Sequence, residues 1–192
     1  MPQLVFATQN EHKTEEIRAA LSGQYEILNL NDLDFSGEIE ETEHTFAGNA
    51  SLKSKFVADN FKLDCFADDS GLELLALNGA PGVLSSRYAG TGNSEDNMDL
   101  LLKNLEEKTD RSARFKTVIS LLHNGENHLF EGIINGTIRT EKAGRKGFGY
   151  DAIFQPDGYD ITFAEMTMEE KNKISHRALA LKKMIDFLKQ KR

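Results

Sequence analysis

The sequence predicts an α/β fold built on a mixed β-sheet. Three observations carry that reading. Apolar runs of strand length alternate with segments of helical period, a long hairpin interrupts the alternation, and no repeat, low-complexity segment or Pro/Gly/Ser-rich linker divides the chain. The 192 residues suit one domain, residues 1–192, with a sizeable core.

Taken in order, Leu4, Val5, Phe6 and Ala7 form a short apolar run that reads as a buried strand. Ile17, Ala20 and Leu21 then recur at helical spacing, with Asn10 as N-cap and Gly23 as stop. Residues 25–30 give a second strand. Residues 31–43 are polar, with Glu38, Glu40, Glu41 and Glu43 close together, a composition normal for a solvated loop. Phe46, Ala50, Val57 and Phe61 mark a helix that carries Lys53 and Lys55. Residues 65–67 read as a strand leading into a turn at Asp68, Asp69, Ser70 and Gly71, and residues 72–77 as the strand that leaves it. Residues 78–82 are a dense turn signal, and residues 85–90 follow without period. Met98, Leu101, Leu102 and Leu105 define an amphipathic helix entered through Asn93 or Ser94.

Phe115, Thr117, Ile119 and Leu121 alternate with polar or mixed neighbours, Asn124-Gly125 follows, and residues 129–138 resume the pattern. This predicts a long hairpin on a type I′ turn. Residues 152–154 read as a short strand. Thr167 and Glu170 have capping-box spacing, and Ala178, Leu181, Ile185 and Leu188 form one helical stripe.

The net charge of −8 argues against a protein that follows a nucleic-acid backbone, which needs a basic face. A small anionic substrate with a metal remains compatible, because local charge there outweighs the total. The single cysteine, Cys65, cannot form an internal disulfide and sits in an apolar run, so an inert buried thiol in a reducing compartment is expected. No apolar run reaches about 18 residues, so no membrane span is expected. The N-terminus lacks the pattern of a signal peptide, and the expected location is cytoplasmic.

Four stretches carry chemistry. Thr8, Asn10 and Lys13 cluster at a helix N-terminus, where N–H groups and the dipole bind phosphate readily; a plain capped helix explains the same residues. Adjacent Asp68 and Asp69 repel one another unless a cation or proton holds them, and hard oxygens suit Mg²⁺; turn formers bonded to their own backbone are the alternative. Residues 143–151 interleave glycines, two cations, Phe148, Tyr150 and Asp151, which suits a planar ligand stacked on a ring, or equally a loop with two aromatic anchors. Lys171, His176 and Arg177 lie near the C-terminus. On one helix Lys171 would point about 140° from His176, at about 100° per residue. If they serve one site the helix must break between them, with Ser175 placed to cap the second piece; solvated helix charges are the other reading.

These are the parts an enzyme of nucleoside triphosphates needs. Together, residues 8–13 (Thr-Gln-Asn-Glu-His-Lys), 68–72 (Asp-Asp-Ser-Gly-Leu), 79–82 (Gly-Ala-Pro-Gly), 86–90 (Ser-Arg-Tyr-Ala-Gly), 147–151 (Gly-Phe-Gly-Tyr-Asp) and 174–177 (Ile-Ser-His-Arg) resemble the inosine triphosphate pyrophosphatases. The motifs occur in that family's order and span most of the chain. The resemblance implies a long mixed sheet flanked by helices in two lobes with a cleft between them, a homodimer, and Mg²⁺-dependent hydrolysis of ITP, dITP and XTP to the monophosphate and pyrophosphate. It further implies that Thr8, Asn10 and Lys13 form a phosphate-binding loop with Lys53 as a second phosphate contact, and that Gln9, Glu11 and His12 also bind substrate. Glu41 and Asp69 bind metal, with Asp69 as proton acceptor, and Ser70 touches substrate. Phe148, Gly149, Tyr150, Asp151, Lys171, His176 and Arg177 bind the nucleoside. Gln9 stands where the family commonly has Gly, Lys146 where a small residue is frequent, and Ala152 where Pro is usual.

Two other readings compete: a related pyrophosphatase for modified pyrimidine nucleotides, and a non-catalytic nucleotide-binding module. An aspartyl-phosphate phosphatase does not fit, because it needs one aspartate two residues before a second, whereas Asp68 and Asp69 are adjacent and point differently.

Overall fold

A computed structural model describes residues 2–191. Its six-stranded sheet has the order β2-β1-β3-β4-β5-β6, from β1 (Gln3–Phe6), β2 (Glu26–Asn29), β3 (Cys65–Leu74), β4 (Ser112–His123), β5 (Glu126–Ile138) and β6 (Phe154–Pro156). β1 pairs in parallel with β2 and β3, and β5 pairs antiparallel with β6, so the sheet is mixed as the sequence predicts. The helices are α1 (Glu11–Ala20), α2 (Phe46–Phe61), α3 (Ser94–Asn104), α4 (Met168–Ile174) and α5 (His176–Gln190).

The chain divides into two compact units. The first comprises Met1–Asp69, Thr117–Gly132 and Arg177–Arg192; the second comprises Ser70–Lys116 and Ile133–His176. In the first, strand alternation separates two cores. Leu4 and Phe6 of β1 and Phe66 of β3 pack with Ile17 and Leu21 and with Leu181, Met184 and Ile185 of α5. Val5, Ala7, Cys65 and Ala67 face the other way and pack with Val57 of α2. In the second unit one core gathers Leu72, Leu74, Met98, Leu101, Phe115, Phe154 and Phe163.

Local signals act as the sequence suggests. The Asn10 side chain caps α1 by accepting from Lys13 N, and Asn93 caps α3. Asn124 and Gly125 both have positive φ, 52° and 81°, the pair that a type I′ hairpin turn requires. Thr167 and Glu170 form the capping box of α4.

Three expectations are corrected. Residues 68–71 are not a turn: β3 runs unbroken through them, with Asp68, Asp69 and Gly71 buried and all paired within a ladder. Burial between two layers favours the extended chain over the turn those residue types prefer in water. Residues 75–77 form a short 3-10 turn rather than more strand, and residues 152–153 precede β6 instead of belonging to it.

Cys65 is fully buried, donates to the Ser54 carbonyl at 3.1 Å, and its thiol is pushed up to about 12 by burial. The native protein is therefore expected to leave Cys65 unmodified by Ellman's reagent at pH 8 and to release one thiol in denaturant. Rapid native labelling would contradict the packing.

Candidate active site

The two carboxylates in β3 lie on opposite faces of the strand, and that alternation sets their chemistry. Asp68 shares its face with Phe66, toward α1 and α5. Its Oδ1 accepts from Lys13 Nζ of α1 at 2.8 Å, and its Oδ2 accepts from Arg177 Nε of α5 at 3.2 Å. Glu16, one turn along α1 from Lys13, pairs with the same guanidinium. Asp69 shares its face with Cys65 and Ala67, toward α2. Its Oδ2 accepts from Asn49 Nδ2 at 3.0 Å. One turn further along α2, Lys53 Nζ donates to Glu41 Oε1 at 2.6 Å.

The charges respond accordingly. Burial pushes Asp68 up, but Lys13, Arg177 and Lys53 outweigh it and hold the carboxyl far below the usual range. Asp69 lies above its usual value: burial raises it, Glu41 adds to that, and Lys53 and Lys13 only partly offset both. Lys13 is lowered, chiefly by burial, which with the repulsion of Lys53 and Arg177 exceeds the pull of Asp68. Lys53 is raised; burial opposes this, but Glu41, Asp68 and Asp69 prevail. Three cations thus converge near a capped helix N-terminus, a setting for a polyanion.

Among the described residues no group of three or more His, Cys, Asp or Glu side chains is arranged to hold a metal. Mg²⁺ does not require one, since it is commonly bound by one or two carboxylates plus substrate phosphates. Glu41 and Asp69 are close enough that Glu41 raises the Asp69 carboxyl, and together they already draw the Lys53 ammonium. Two mutually repelling hard-oxygen donors of this kind fit a divalent cation.

The remaining predicted residues of the N-terminal loop play varied parts. Thr8 Oγ1 accepts from Asn10 N at 3.2 Å, which fixes the entry to α1. Gln9 donates to the Phe35 carbonyl, Glu11 accepts from Asn29 and Asn31, and His12 is exposed. Glu11 is thereby turned toward the segment after β2.

The second unit holds the other group. Asp151 Oδ2 accepts from Lys171 Nζ at 2.7 Å and from Phe148 N at 2.9 Å. The ammonium lies 5.1 Å from the Phe148 ring centroid and 5.4 Å from that of Phe163. A Cβ at Gly147 would overlap the Asp151 carboxylate, so glycine is required there. Tyr150 is a core residue whose hydroxyl donates to the Ser85 carbonyl, whereas Phe148 is only half buried. His176 stacks on Phe115 with centroids 4.7 Å apart. Ser70, half buried, follows Asp69 in β3.

The helix does break between Lys171 and His176, as it must if Lys171, His176 and Arg177 are to serve one site. α4 ends at Ile174, Ser175 is extended with φ −65° and ψ 153°, and α5 starts at His176. Lys171 and Arg177, both expected to bind the nucleoside, enter separate ion pairs: Lys171 with Asp151, Arg177 with Glu16 and Asp68. Sequence reading missed Glu16 and Asn49. The available signals were a glutamate one turn from Lys13, beside Ile17 on the apolar side of α1, and an asparagine four residues before Lys53 on α2.

The sequence profile of the Ham1 family matches residues 4–187. The chain is 52% identical over 188 residues to a dITP/XTP pyrophosphatase of Flavobacterium psychrophilum, covering 97% of this chain and 99% of that protein. It is 50% identical over 190 residues to a dITP/XTP pyrophosphatase of Porphyromonas gingivalis, covering 98% of each. Among solved structures, the Staphylococcus aureus Ham1 protein superposes with a TM-score of 0.88 at 38% identity, covering 99% of this chain and 100% of the other. A HAM1 protein from Coxiella burnetii gives 0.89 at 38% identity with the same coverage.

Proposed function

The chain belongs to the Ham1 family, and on that premise we propose that it hydrolyses ITP, dITP and XTP to the nucleoside monophosphate and pyrophosphate with Mg²⁺ as cofactor. The observation that carries the reading is the unequal treatment of two neighbouring carboxylates. Asp68 is locked among cations, while buried Asp69 is raised and so suited to take a proton.

In this mechanism Lys13, Lys53 and the N-terminal turn of α1 hold the triphosphate. Lys13 gains most from an anionic ligand, because burial lowers it in the free protein. Glu41 and Asp69 hold the metal, which when bound neutralises phosphate oxygens and the departing pyrophosphate. Asp69 orients a water against the α-phosphorus and accepts its proton. The new P–O bond forms as the bond to the bridging oxygen breaks, and pyrophosphate leaves with that electron pair. Positioning and electrostatic stabilisation supply the acceleration; no covalent nucleophile is used. Phe148 stacks on the base, while Lys171 donates toward the purine 6-oxygen. The protein acts as a cytoplasmic homodimer that removes aberrant purine triphosphates before they enter DNA and RNA.

The test is incubation with Mg²⁺ and ITP, XTP, dITP, ATP, GTP or CTP, with both products identified. Monophosphate plus pyrophosphate from the first three, abolished by chelator, is expected. Orthophosphate release, or ATP consumed as readily as ITP, would overturn the reading.

Base choice gives a second prediction. Lys171 only donates and so bonds a 6-oxo group but not a 6-amino group, whereas glutamine can do either. Lys171→Gln is expected to shrink the ITP-to-ATP ratio of kcat/KM by about tenfold or more. Arg177→Ala is a poorer probe, since it leaves Asp68 and Glu16 without a donor, whereas Lys171→Gln keeps one for Asp151. An unchanged ratio in Lys171→Gln would remove Lys171 from base reading.

A further inference from the structure

We infer that Asn49 is a positioning residue for the reaction, because its amide fixes the Asp69 carboxylate and, through the Glu43 backbone, the loop that carries Glu41. The inference rests on the proposed hydrolysis for its kinetic consequence but not for its geometry.

Asn49 has no solvent exposure and lies in the first turns of α2. Both ends of its amide are engaged. Oδ1 accepts from Glu43 N at 2.9 Å, and Nδ2 donates to Asp69 Oδ2 at 3.0 Å. The backbone N–H can only donate, so the oxygen must face Glu43 and the NH₂ must face Asp69; the amide cannot be turned over without losing both bonds. The acidic loop is held close enough for this by Gly48, where an added Cβ would lie 2.7 Å from Glu43 Cβ. Lys53 follows Asn49 by four residues on the same face of α2 and pairs with Glu41. One helical face therefore anchors the carboxylate in β3 and the loop glutamate, two groups otherwise far apart in sequence. A carboxylate can rotate about its last torsion, which is broad. A donor on Oδ2 restricts that rotation and so directs the other oxygen. Removing such supporting contacts typically costs about 10–100-fold in activity or metal affinity.

Two variants separate this from a packing role. Asn49→Asp keeps the acceptor for Glu43 N but loses the donor; Asn49→Leu keeps the volume and loses both. Measured with dITP and Mg²⁺, kcat is expected to fall about 10–100-fold in each with KM within about threefold, since the phosphate-binding cations are untouched. A loss in Asn49→Asp alone, with Asn49→Leu at wild-type kcat, would assign the effect to the added charge and overturn the inference, as would undiminished kcat in both. If Asn49→Leu does not fold, Asn49→Ala takes its place as the neutral variant. Crystal structures of Asn49→Asp and the neutral variant report on geometry without turnover. A rotated Asp69 carboxylate supports the inference and an unmoved one overturns it, even should the wild type fail to hydrolyse dITP and the proposed function fall.

Discussion

Asp69→Asn is expected to lower kcat by about 10²–10⁴-fold, the usual contribution of a positioned general base, while the melting temperature stays level or rises. Asparagine keeps the shape and still accepts from Asn49 Nδ2 through its amide oxygen. It loses the carboxylate proposed to accept the proton and one of the two candidate metal donors. It also relieves the cost of a buried charge. The Asp69 carboxyl is raised by burial and by Glu41, so in metal-free buffer at neutral pH its ionisation works against folding. For a group with a raised folded value, that cost is fully present above the folded value and gone below the ordinary value of 3.8. Any stability gained by Asp69→Asn over wild type should therefore be greatest at neutral pH and vanish in acid. Turnover and thermal unfolding with chelator present are the two measurements. Near-wild-type hydrolysis, or a large drop in stability, would show that Asp69 is held for packing instead.

Asp68→Asn, one residue away, is expected to do the reverse. Asp68 is 1% exposed and answers both Lys13, which is half-buried, and Arg177, which is buried. Removing its charge leaves a half-buried and a buried cation short of a partner, with Glu16 alone to balance the guanidinium. Breaking a buried pair in this way costs about 3–5 kcal/mol. At about 2–4 °C per kcal/mol for a chain of this size, the melting temperature should fall by roughly 6–20 °C. The pH dependence also inverts. The folded carboxyl is held low, so its stabilisation is present above the ordinary value of 3.8 and is lost only as pH falls through the folded value. The deficit of Asp68→Asn should thus persist at pH 5 and close only in strong acid. A variant that melts within a degree or two of wild type would mean that the ion cluster contributes nothing to folding.

These opposite expectations come from one strand, and the residues involved show what could be read in advance. The caps at Asn10, Asn93 and Thr167 and the Asn124-Gly125 turn were legible because each rests on contacts within a few residues. The strand–helix order was legible because apolar period reflects which face is buried. The stretch at Asp68, Asp69, Ser70 and Gly71 misled for the same reason. Those residue types favour turns when water surrounds them, and only packing on both faces of β3 keeps them extended. The break at Ser175 was anticipated as a condition on three side chains serving one site, and the backbone meets it.

By itself, then, the sequence determined the fold class, the residue types available for phosphate, metal and base, and the fact that adjacent aspartates on an extended chain must face apart. Only the tertiary structure decided which carboxylate meets cations and which is left raised. It also drew Arg177 to Glu16 and Asp68, while Lys171 went to Asp151, and brought Asn49 into contact with Asp69. The physical reason is range. Periodicity and capping depend on neighbours along the chain, whereas the charge state of a buried group depends on desolvation and on partners supplied by other elements, up to 161 residues away for the Glu16–Arg177 pair.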